Sequence, residues 1–407
     1  MSTQLESTSN IQSLTALSRP EIELLLCCAR TRTNRELADK IQQLVQQNID
    51  WQYFVATAQY HGIVPLIYGQ LQGVKAVPAE VRSGLERAFN KNAYINMALT
   101  GELIKIQNLL KSQAISMLAF KGPVLAQLAY NNLAARQFVD LDILVPSKDV
   151  AKASQLLREQ GYQPQFNLTE AQQQLYVKVR SEHSFWHPEK EICVDLHWSI
   201  MPKYFSFSPE ENSIWENCDR VLLGKYKVDT LSKENLLLYL CAHSAKHNWS
   251  YLNWICDLAE LLSSHPDMDW ELILSRTGKL ETRRMLFLGL ALARDLLGAM
   301  LPSQISQQIE SSPEIIALSR QVRSGLFRSE TSLLGEFPVA NIYLKTMSSV
   351  RDKLWYWYDA IITPTPLEWA IISLPKWLGI LYYPLRLMRL VIKYVWRIEN
   401  GALTTDN

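Results

Sequence analysis

Apolar positions recur at helical spacing through the first quarter of the chain and again through its second half. Between these stretches the period shortens to two. Over 20–113 the segments PEIELLLCCART, RELADKIQQLVQQ, WQYFVATAQYHGIVPLIYGQL and NAYINMALTGELIKIQNLLKSQ all read as helices, the first opening on a proline suited to a first helical turn. ISMLAF (115–120) is a short apolar run of strand length, and the helical pattern VLAQLAYNNL follows it. FVDLDILV (138–145) is the next strand. SKDVAKASQLLREQGY predicts a helix with Ser147 as N-cap and Gly161 as its stop. QLYVKVRSEHSFWH (174–187) alternates in part and predicts a strand, as does EICVDLHWSI (191–200). From about residue 231 helices return. The pattern predicts an α+β chain, with a small mixed sheet between helical flanks. Its expected divisions are a helical N-terminal region (1–95), an α/β core (96–230), a helical domain closing a cleft (231–345) and an aromatic, basic tail (346–407).

Composition narrows the picture. The 407 residues carry 41 basic and 40 acidic side chains, a net charge of +1, so no broad field favours long nucleic acid. The six cysteines form no C-x-x-C pair and read as buried thiols of a reducing compartment. The polar N-terminus lacks a basic region followed by an apolar run, so no signal peptide is expected and the cytoplasm is the expected location. No P-loop, G-x-G-x-x-G or G-x-S-x-G motif occurs. In the apolar tail 365–396, Pro375, Lys376, Pro384, Arg386 and Arg389 interrupt the run, which argues against a membrane span. Packing onto the domain or against a protein partner is the favoured reading of the tail. Contact with a membrane surface, leaving the protein peripheral to it, is the alternative, because Trp, Tyr and Arg sit together.

The candidate chemistry lies in the middle. Side chains two apart on a strand share a face, so Asp140 and Asp142 project together. Two carboxylates that close repel unless a cation lies between them, and Mg²⁺ uses one or two carboxylates plus substrate phosphates. Water-facing charges are the plainer alternative for this pair. On the later strand Cys193, Asp195 and His197 share a face, and Asp195 would supply a third carboxylate. His197 would orient Asp195 or touch a phosphate, although a satisfied core histidine is the plainer reading. Lys121-Gly122-Pro123 joins a strand to a helix N-terminus, where free N–H groups suit phosphate. Arg136 could add a forked contact to the same group.

The pieces F-K-G, R-x-x-x-D-L-D-I-L-V, G-Y and V-D-L-H-W together resemble the uncharacterised nucleotidyltransferase family of the DNA polymerase β-like superfamily. H-G-I-V-P-L near residue 61 and H-S-A-K-H-N-W-S-Y-L-N-W-I-C-D-L at 243–258 extend the likeness to about 300 residues. The resemblance implies that Asp140 and Asp142 hold Mg²⁺ on the phosphates of a nucleoside triphosphate. Asp195 would complete a second metal site and act near the acceptor hydroxyl as base or base-positioning group, with Mn²⁺ as a substitute ion. Pyrophosphate would leave. The superfamily's Gly-Ser turn is here Lys121-Gly122, so the glycine role survives and the serine hydroxyl does not. The expected nucleotide-binding set is Lys121, Gly122, Arg136, His197, His243, Lys246 and His247. The last three would line the cleft opposite the metals. Read from spacing alone, His243 and His247 share a helix face and with Asp257 imitate a metal site, but packing is the simpler role. The acceptor stays open among small molecule, peptide and protein, with long nucleic acid disfavoured. Two rival functions are a non-catalytic scaffold of a biosynthetic assembly that keeps the fold, and a phosphohydrolase using water as acceptor.

Overall fold

The computed structural model describes residues 19–201, 211–278, 280–327, 342–347, 350–372, 374 and 376–401. The N-terminal stretch 1–18 and Pro375, both used above, lie outside the described residues. The chain opens with α1 (Pro20–Cys28), α2 (Arg35–Leu44), α3 (Trp51–Tyr60), α4 (Val64–Leu71) and the 34-residue α5 (Ala79–Ser112). Local chemistry explains where they start. Asn34 and Asp50 accept hydrogen bonds from Leu37 N and Tyr53 N, at 2.8 and 3.0 Å, satisfying donors that a first turn leaves free.

Next come β1 (Leu118–Ala119), α6 (Gly122–Tyr130), β2 (Asp140–Leu144), α7 (Val150–Glu159), β3 (Gln163–Pro164), α8 (Glu170–Val179), β4 (Glu182–His187) and β5 (Ile192–His197). The five strands form one mixed sheet in the order β1-β2-β5-β4-β3. Only the central β2–β5 pair is parallel. The fold is α+β. The strand expected over 174–187 is half helix. Thr169 and Gln172 make a reciprocal capping box that starts α8, which runs to Val179, and the strand begins only at Glu182. The helix expected from Ser147 begins with a 3₁₀ turn there and becomes α7 at Val150.

After α9 (Glu211–Glu216) comes a hairpin that the periodicity reading passed over, β6 (Cys218–Leu223) and β7 (Tyr226–Leu231). Its two-residue link puts Gly224 at φ +61°. The helices α10 (Lys233–Lys246), α11 (Leu252–Ser264), α12 (Trp270–Arg276), α13 (Leu280–Leu297), α14 (Ser303–Glu310) and α15 (Pro313–Leu326) follow. Last are α16 (Ile342–Thr346), α17 (Val350–Ile361), α18 (Pro366–Ile371) and α19 (Tyr382–Gly401).

Two apolar cores position the site. The larger joins α1–α4 to α10–α16, so the N-terminal helices and these later helices share one core. The smaller lies between one sheet face and helices α5 and α7. It contains Leu141, Ile143, Val194 and Leu196 with Leu103, Ile106, Ala153 and Leu157. Because side chains alternate along a strand, Asp140, Asp142, Asp195 and His197 fall on the other face.

Candidate active site

The parallel register sets the geometry. Asp142 stands directly opposite Asp195, Asp140 opposite Cys193, and Leu144 opposite His197. On the far side of β5, Ser184 of β4 faces Asp195 and Glu182 faces His197. Asp142 is the buried centre of a polar chain. Its Oδ1 lies 2.8 Å from Lys121 Nζ and 3.2 Å from His197 Nε2. His197 Nδ1 lies 3.2 Å from Glu182 Oε2, a charge contact without hydrogen-bond alignment. Asp142 Oδ2 is buried and has no hydrogen-bond partner. An orphaned carboxylate oxygen is costly unless something else meets it.

Burial and charge set opposite behaviour in the three aspartates. Burial opposes the charge of Asp142, but Lys121 and His197 overcome it and hold its pKa well below the usual range. Burial raises Asp140, and repulsion from Asp142 adds to the rise. Burial likewise raises Asp195, against a hydrogen bond from Ser184. Lys121 is driven far above its ordinary value by Asp142 despite burial. His197 rises as well, since Asp142 and Glu182 outweigh its burial. Cys193, on the same acidic face, is pushed up to about 12 by burial and the nearby carboxylates and stays an inert thiol.

Metal-ligand atoms of Asp142, Asp195 and His197 lie within 4.8 Å of one another, the one such group among the described residues. Asp140 stands outside it. An oxygen-rich set beside an orphaned carboxylate oxygen fits a hard divalent cation. His197 would join only after losing the proton its neighbours favour. The turn before α6 completes the setting. Gly122 has φ +52°, and a Cβ there would lie 3.3 Å from the Asp140 carbonyl oxygen. Glycine therefore lets the helix start tuck against the head of β2. No side chain caps that start, which leaves its N–H groups open beside Asp140 and Asp142.

Arg136 is placed differently from the expectation. Its fork is spent on Asp257, with Nε–Oδ1 2.7 Å and Nη2–Oδ2 2.9 Å, and Tyr130 donates to the same carboxylate at 2.6 Å. Arg136 still lowers the Asp140 pKa from nearby, but breaking a buried pair for a phosphate would strand Asp257. For the same reason Asp257 is no metal partner of His243 and His247. Those two rings lie 4.8 Å apart and pack on Trp254. Both are kept neutral, His243 well below its usual pKa and His247 at about 4, by burial and by cations that include Lys121 and Lys246. Lys246 in turn stabilises the charge of Glu182. The end of α10 thus faces the carboxylate cluster. Tyr239 of α10 reaches Lys121, and Phe120 packs edge-on against both Tyr239 and His197. The residue that sequence reasoning missed is Glu182. The alternation of Glu182, Ser184 and Trp186 against His183, Phe185 and His187 was its signal.

No curated protein matches the chain. Among solved structures, an antigenic nucleotidyltransferase-like protein from Paracoccidioides brasiliensis aligns at 14% identity and a TM-score of 0.30, over 52% of this chain and 96% of that one. That likeness is too slight to carry an inference. The family model described as uncharacterised nucleotidyltransferase matches residues 47–298, which include every strand of the main sheet and the α10–α11 wall. The chain therefore belongs to the uncharacterised nucleotidyltransferase family.

Proposed function

We propose that this chain transfers a nucleoside monophosphate from a nucleoside triphosphate to an acceptor hydroxyl. The observation that carries the reading is the buried, unpartnered Oδ2 of Asp142, directly across the parallel register from Asp195 and beside the open helix start at Gly122. Asp140, Asp142 and Asp195 would hold Mg²⁺, or Mn²⁺ in its place, which when bound would neutralise phosphate charge. The N–H groups at the start of α6 and the ammonium of Lys121 suit the triphosphate oxygens. His243, Lys246 and His247 stand on the facing wall, where they could contact nucleotide or acceptor. In the step itself the acceptor oxygen bonds to the α-phosphorus and the bond to pyrophosphate breaks. Asp195 would take the hydroxyl proton or position the base that takes it. The acceptor classes that suit the weak net charge are a small molecule, a peptide or a protein. The free cysteines fit the reducing cytoplasm, where nucleoside triphosphates are available.

A non-catalytic binding protein is the second reading. It is favoured by the Lys121–Asp142 ion pair, which already supplies one cation to the central carboxylate. Calorimetry with ATP, GTP, CTP and UTP, each with Mg²⁺ and with EDTA, followed by an assay for pyrophosphate release from any nucleotide that binds, separates the two. Catalysis requires that at least one nucleotide bind with Mg²⁺ and that Asp142→Asn weaken it about tenfold or more, roughly 1.4 kcal/mol. Absence of binding to all four, or equal binding by the variant, overturns the proposal.

A further inference from the structure

The C-terminal helix is built inside out. Along α19, Pro384, Leu387, Met388, Val391 and Ile392 recur at i, i+3, i+4, i+7 and i+8, and all are exposed. This is the apolar stripe that a surface helix normally turns to the core. The inward side carries Tyr382 and Leu385, which pack on the sheet core, together with Arg386 and Arg389. Both arginines pair with Glu368 of α18, whose side chain is fully buried. The helix is therefore held in this orientation by a buried ion cluster and by the docked rings of Trp369 and Tyr382, which belong to the sheet core. Packing of the tail onto the domain accounts for one face of α19, and among the described residues nothing covers the other. Neighbouring elements extend the uncovered surface. Trp355 of α17 is 52% exposed, and Trp377 and Ile380 of the 3₁₀ turn Lys376–Leu381 are 79% and 74% exposed.

Two observations choose the occupant. Residues 350–401, which make up this surface, carry seven Lys and Arg against four Asp and Glu, and once Arg386 and Arg389 are spent on Glu368 five basic side chains remain against three acidic ones, an excess that complements an anionic surface. The exposed set also combines aliphatic side chains with Trp and Tyr, the mixture suited to the boundary between headgroups and acyl chains. No described helix is long and apolar enough to cross a membrane, so the helix would lie along the surface.

We propose that the α17–α19 surface docks this protein onto anionic lipid headgroups, with the Leu387–Ile392 stripe of α19 inserted at the interface. The full chain is mixed with phosphatidylcholine vesicles, with and without phosphatidylserine, and sedimented. Wild type pellets with the phosphatidylserine vesicles, pellets less with the neutral ones, and is released in part by salt. The variant Val391→Glu/Ile392→Glu, changed only at exposed positions, keeps its circular dichroism and loses affinity about a hundredfold, the loss of two aliphatic side chains. Wild type left in the supernatant with both vesicle types overturns the proposal, as does pelleting indifferent to phosphatidylserine. A wild-type dimer in light scattering that the variant abolishes, without vesicle binding, overturns it in favour of a second copy of the chain.

Discussion

Gly122 shows how much one backbone position can carry. Its φ of +52° and the 3.3 Å approach of a hypothetical Cβ to the Asp140 carbonyl leave little room for any side chain. Gly122→Ala is expected to destabilise the protein by about 1–2 kcal/mol through left-handed strain. It should also shift the head of β2 and so weaken Mg²⁺-nucleotide binding more than a surface glycine such as Gly69→Ala does, as thermal unfolding and calorimetry on both variants will tell. At this scale the sequence was informative. The D-L-D and V-D-L-H spacings announce two polar faces, because strand alternation is local. Lys121 was legible as a cation near the turn but not as the partner of Asp142. Glu182 was hidden because its strand was blurred into the preceding helix.

At the scale of elements the informative pairings are long-range. The in-register parallel β2–β5 contact places Asp142 against Asp195, although 53 residues separate them by the numbering. Arg136, just ahead of β2, reaches across 121 positions to Asp257 on α11 and ties the sheet to the helical wall. Arg136→Met should cost about 3–5 kcal/mol, since it leaves a buried carboxylate with only Tyr130 as a donor. Urea unfolding of Arg136→Met beside Arg136→Met/Asp257→Leu provides the check, with the double variant recovering much of the loss. A double variant as unstable as the single one would mean that the two residues matter separately.

The whole molecule is held by the core shared between the N-terminal helices and the later helical domain. His61 sits in that junction, buried, accepting from Leu252 N at 3.2 Å through Nδ1 while its carbonyl accepts from Asn253 N at 3.3 Å. Burial lowers its pKa from 6.5 to about 4, and His183 in the sheet is lowered to about 4 by burial and Arg158. Each is neutral in the folded chain where the unfolded chain would bind a proton. Their contribution to stability is therefore complete above pH 6.5 and is lost as pH falls towards about 4. Urea midpoints should decline across that window, and His61→Asn, which keeps an acceptor without titrating, should flatten part of the decline. Asp142 acts at lower pH still, since its depressed pKa preserves its contribution until strongly acid conditions.

What the sequence determined by itself was local: helix and strand periods, the glycine at the turn before α6, and the polar faces of β2 and β5. Tertiary structure decided whatever depended on distant partners. It selected the register that pairs Asp142 with Asp195 and spent the Arg136 fork on Asp257. It drew Glu182 towards His197 and turned the apolar stripe of α19 to the outside. The physical reason is that side-chain direction follows from each residue's own backbone period, whereas pairing and orientation follow from burial and charge compensation across the whole chain.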